Sequence, residues 1–80
     1  MGKVHRISNI IIRVYANDHL PPHFHVIGPD AEALFDIASQ TVIAGALPRG
    51  HRKEIVAWIA ANIDLIKAEW NRINPRFPVP

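Results

Sequence analysis

The chain has 80 residues, 49% of them hydrophobic and 20% charged, with a formal net charge of +2 and no cysteine. That length bounds it to one small domain, and the composition excludes a disordered chain, a disulfide framework and thiolate metal centres. The charge is laid out unevenly: Lys3, Arg6 and Arg13 precede any acid, while Asp18, Asp30, Glu32 and Asp36 follow without Lys or Arg. Arg49, His51, Arg52 and Lys53 then form a second basic cluster, so an anionic partner is compatible with the pattern.

Along the chain, Ile10, Ile11 and Ile12 are the only apolar run near the basic N-terminus. The run is too short for a secretory signal, and no stretch is long enough to span a bilayer. The lack of cysteine fits a cytoplasmic protein. Residues 7–16 are largely β-branched or aromatic and predict a strand. Residues 17–22 supply turn chemistry through Asn17 and the Pro21-Pro22 pair. A second strand is expected at 23–27, followed by a Gly28-Pro29-Asp30 turn. Residues 33–37 and 41–47 read as a further hairpin around Ala38-Ser39-Gln40, and Pro48-Arg49-Gly50 closes the sheet portion.

The rest reads as one helix over about 50–73. Ile55, Ile59, Ile63, Ile66, Trp70 and Ile73 recur at steps of three and four, which puts them on one face. Trp58 and Leu65 lie off that stripe. Either the helix bends near Asn62-Ile63-Asp64, or a second apolar strip faces another chain, which predicts a homodimer or a complex with a partner domain. Asn74-Pro75 stops the helix and leaves 74–80 as an extended tail. The order predicts an α+β domain: a curled antiparallel sheet of about four strands with one C-terminal helix on one face.

The chemistry concentrates in "NDHLPPHFHV", residues 17–26, which holds three of the five histidines. Side chains alternate on a strand, so His23 and His25 share a face with Phe24 on the other. A register that buries Ile10, Ile12, Val14, Phe24 and Val26 gathers Arg13, Tyr15, His23 and His25 on the opposite face. Leu34 and Asp36 point the same way if Phe35 and Ile37 pack inward, with Asp18 and His19 at the rim. Three readings of this patch stay open. The imidazoles can satisfy loop carbonyls and be structural. His23 and His25, with His19 or Asp18, can bind a divalent transition metal such as Zn, Ni or Cu. Or His23 and His25 act as base and acid in phosphodiester cleavage, with Arg13 holding the phosphate and Tyr15 orienting it. Arg49, Arg52 and Lys53, at the predicted helix start, add a candidate phosphate-binding cluster around free backbone N–H groups.

"NDHLPPHFHV", the "GALP" at residues 45–48, and Trp58 and Trp70 in the final helix resemble a family of short bacterial proteins, domain of unknown function 4160. The resemblance runs from about Val4 to Trp70, and its D-H-x-P-P-H-F-H-V core falls on Asp18, His19, Pro21, Pro22, His23 and His25. Asn9 stands where a glycine is common in that family. The resemblance implies a partner, domain of unknown function 2442, encoded alongside in a toxin–antitoxin-like arrangement. Residues and resemblance together lead us to expect a small bacterial, cytoplasmic protein that binds or cleaves RNA through its histidine face. The competing class is a non-enzymatic module that binds a transition metal or a partner protein through the same histidines.

Overall fold

The fold was established from a computed structural model, which describes residues 2–16 and 21–80. Five strands precede one helix: β1 (Gly2–Ile7), β2 (Ile10–Val14), β3 (His23–Ile27), β4 (Glu32–Asp36), β5 (Thr41–Gly45) and α1 (Arg52–Ile73). The strands form a single antiparallel sheet in the order β1-β2-β3-β4-β5. The α+β class with a C-terminal helix agrees with the sequence reading, and the sheet has one strand more. The additional strand is β1, which precedes the expected first strand; that strand begins only at Ile10, after a turn at Ser8-Asn9. Ser8 takes a φ of 54°, the conformation that turns two strands back on each other in so short a loop. The Arg6 Nε–H donates to the Ser8 carbonyl across the same turn.

The register follows burial. Ile12 pairs with Val26, Phe24 with Phe35, and Val26 with Ala33, so one face collects Ile10, Ile12, Val14, Phe24, Val26, Ala33, Phe35 and Ile37. From α1, Ile55, Ile59, Ile66 and Trp70 close over it, with Ile63 and Ile73 at the margin. The Phe24 and Phe35 rings stack at 5.1 Å. α1 bends at Asn62 (φ −126°, ψ 22°), whose side-chain amide donates to the Trp58 carbonyl. The bend was one of the two explanations for the off-stripe residues. Trp58 also finds a partner within the chain: its ring lies flat on His5 of β1, at 4.3 Å and 6°. Leu65 stays 50% exposed. No helix among the described residues is long and apolar enough to cross a membrane.

The C-terminal tail is docked on the helix. Trp70 Nε1 donates to the Phe77 carbonyl, and the Asn71 side chain both donates to the Val79 carbonyl and accepts from the Val79 N–H. Val79 is thereby drawn into the core. Asn74, the residue after the helix, is buried and donates from its side chain to the Tyr15 carbonyl, which ties the helix end to the end of β2.

Two contacts explain "GALP". A Cβ on Gly45 would sit 2.1 Å from the Glu32 carbonyl oxygen, and one on Gly28 would sit 2.7 Å from Pro48 Cγ. β5 therefore passes β4 at a distance only glycine permits, and Pro48 caps the β3–β4 turn. Gly45 and Gly50 both have positive φ, yet nothing lies within 4 Å of a Cβ on Gly50. Gly50→Ala should then cost only the backbone strain, about 1–2 kcal/mol. Gly45→Ala adds a backbone collision and should cost well beyond that, about 3 kcal/mol or more. Urea unfolding of the two variants side by side checks the difference.

Candidate functional site

On the sheet face opposite Phe24 and Val26, Arg13 pairs with His25, His25 with Leu34, and His23 with Asp36. Tyr15, one alternation beyond Arg13, meets the His25 ring edge-on at 4.6 Å and 87°. The structure thus brings Arg13, Tyr15, His23 and His25 together as alternation and register require. Asp18 and His19, the further metal ligands expected from sequence, lie outside the described residues.

The two histidines are less accessible than that face suggested. His23 is 4% exposed and the His25 side chain 13%. Alternation fixes which face a side chain takes, while the covering at a strand end depends on tertiary neighbours. His23 opens β3, and there the Trp70 ring at 5.9 Å and the His25 ring at 5.2 Å enclose it.

Each imidazole is held through the same atom. His23 Nδ1 lies 2.8 Å from the Pro21 carbonyl oxygen, and His25 Nδ1 lies 2.8 Å from Glu32 Oε2. Neither oxygen can donate, so each Nδ1 carries the hydrogen, and the lone pair of a neutral ring falls on Nε2. Glu32 entered the sequence reading only as a charge. The signal that could have found it is the hairpin register: the loop at 28–31 sets Glu32 opposite Ile27, diagonally beside His25. Among the described residues, no cluster of three or more His, Cys, Asp or Glu is placed to hold a metal ion. His23 and His25 offer two ligands.

Asp36 completes this face at the β4–β5 turn. Its carboxylate accepts the Ser39 N–H at 2.8 Å, and the Ser39 bonds, with a smaller contribution from His23, hold it below its ordinary 3.8 despite partial burial.

The basic cluster is a separate place. Arg49, Arg52 and Lys53 are exposed, and Arg52 and Lys53 line a shallow concavity at residues 50–54. His51 precedes the helix without a capping side chain, and Glu54 stands 3.5 Å from the His51 ring. Lys53 and Trp70 are 17 residues apart on α1, so the cluster lies about 25 Å from the histidines and cannot hold the same phosphate.

Residues 9–71 match the family described as Domain of unknown function (DUF4160). The chain belongs to this family. No curated protein and no solved structure matches it. Within this DUF4160 chain the matched span holds the histidine face, Glu32, the "GALP" segment and nearly all of α1. β1 and the docked tail fall outside it.

His23→Ala should lower stability by about 1–3 kcal/mol, because it leaves the Pro21 carbonyl without its donor and opens space beside Trp70. Thermal unfolding of His23→Ala and His25→Ala should separate the two, with the larger loss at His23. Asp36 should contribute in one pH window. Its folded value is depressed, so the stabilisation is present above the unfolded value and is lost as pH falls through the folded one. Melting curves of wild type and Asp36→Asn should accordingly converge as the pH falls below the ordinary 3.8 and through the lower folded value.

Proposed function

We propose that the protein is a small non-enzymatic binding module whose His-x-His strand holds a divalent transition metal ion through Nε2 of His23 and His25. One observation carries the reading: both Nδ1 atoms are anchored on oxygen acceptors, 2.8 Å away in each case. Metal-ligating histidines are typically held in this way, by a carboxylate or carbonyl on the other ring nitrogen. The spacing agrees. Two imidazoles bound through Nε2 to one tetrahedral ion, with bonds of about 2.0–2.1 Å, have ring centroids roughly 5 Å apart, and these rings are 5.2 Å apart. Neutral imidazole suits Zn²⁺, Ni²⁺ and Cu²⁺, and the absence of thiolates in the chain fits the same borderline ions. The remaining coordination positions go to water or to a donor from a bound partner. For that partner, a second copy or an adjacent domain, β5 offers an edge exposed along its whole length, with Val42 at 42% and Ile43 at 47%.

A second reading is favoured by Arg13 and Tyr15 beside His25. A half-buried cation and aromatic ring on one sheet face suit single-stranded RNA, with Arg49, Arg52 and Lys53 as more distant phosphate contacts. In a toxin–antitoxin-like module this face would bind RNA, and His25 would supply the base for metal-independent cleavage.

Titration calorimetry on protein carrying no histidine tag decides between the two. One Zn²⁺, Ni²⁺ or Cu²⁺ per chain, lost in His25→Ala and weakened in His23→Gln, is the expected result. Stoichiometric RNA binding or cleavage in chelator, lost in Arg13→Ala, together with no metal uptake, would replace the first reading by the second.

A further inference from the structure

We infer that Glu32 is the positioning residue of the histidine pair: its carboxylate fixes the tautomer and orientation of His25 and balances the charge that a bound cation places on the ring. This rests on the metal-binding reading above. Glu32 is not the rung partner of His25, which faces Leu34; it reaches along the sheet from opposite Ile27 to place Oε2 2.8 Å from Nδ1. The side chain is about half exposed, so hydration alone gives it no reason to turn onto the imidazole. Tyr15 meets the same ring edge-on, which leaves His25 gripped from β4 and from the residue that follows β2.

The backbone of Glu32 is itself held. Its carbonyl accepts the Ala46 N–H at 3.1 Å, and Gly45 allows β5 to come close enough for that bond. On the other side Pro48 packs over Gly28, at the start of the loop that delivers Glu32 to β4. The "GALP" segment thus supports the carboxylate from behind, as "HFH" places the rings in front. A carboxylate fixed in this way suits a divalent cation, because the ion's charge is shared through the ring to the acid. A neutral ligand gains nothing from it.

Two measurements on intact protein test the role separately from the site. In the first, zinc affinity is compared between wild type, Glu32→Gln and Glu32→Ala. Glu32→Gln keeps an acceptor but removes the charge, and should weaken zinc by about 10–100-fold with the melting temperature of the metal-free protein unchanged. Glu32→Ala should weaken it at least as much. In the second, the His25 tautomer is read in metal-free protein from its imidazole ¹⁵N shifts. Wild type and Glu32→Gln should hold the hydrogen on Nδ1, and Glu32→Ala should release it to Nε2. Wild-type zinc binding that Glu32→Gln leaves intact would overturn the role of Glu32 while keeping the metal site. If wild type takes up no zinc, the metal reading fails. The tautomer then decides Glu32 alone, and a His25 ring indifferent to Glu32→Ala would end its positioning role too.

Discussion

Phe24 and Val26 have no exposed surface, and their burial over α1 is the constraint on which the rest of the molecule depends. Side chains alternate strictly along a strand, so sinking these two into the core forces His23 and His25 to the other face. The same burial pairs Ile12 with Val26 and hence Arg13 with His25. A slip of one residue would strip two large apolar side chains out of the core and put two imidazoles and a guanidinium in among its isoleucines. In a domain this small, either half of that exchange approaches the whole stability. Core and candidate site are therefore one specification read from two sides.

That coupling is why the histidine face was legible in the sequence. Alternation in β2 and β3 and the three-and-four spacing in α1 are local signals backed by burial, and Asn74-Pro75 marks the helix end chemically. β1 was not legible. Lys3, His5 and Arg6 break its apolar alternation, and the turn before β2 uses Ser8 at positive φ in place of the glycine that marks such turns. Missing β1 also removed the partner for Trp58, since the ring that receives it belongs to His5. The docking of the tail was hidden for a different reason. It depends on Asn71 and Trp70 meeting main-chain groups of Val79 and Phe77, a tertiary event with no periodic signature.

Burial at His23 and the part played by Glu32 share one cause. Periodicity says which face a residue takes, but not what covers the end of a strand or which diagonal neighbour reaches across. Trp70 supplies the cover and Glu32 the reach. Both could have been anticipated only by laying the hairpin register on the page and asking which long side chains stand within two residues of an imidazole. A glutamate at the mouth of a short loop is otherwise indistinguishable from a solvated charge.

The two imidazoles are anchored by unlike acceptors, and the difference has consequences. His23 hangs on a main-chain carbonyl that the Pro21-Pro22 turn supplies whatever side chains surround it, and Pro22 in turn accepts the Ile37 N–H. Its orientation belongs to the fold, and losing the ring disturbs the fold. His25 hangs on a carboxylate about half exposed to solvent, which salt or one substitution can weaken while the core stays in place. One ring is thus a fixed reference and the other an adjustable arm, set 5.2 Å apart on one strand. A ligand that needs both nitrogens feels the state of Glu32 through His25 alone. On the metal-binding reading proposed above, Glu32 tunes the affinity of this face without any change in the residues that build the core.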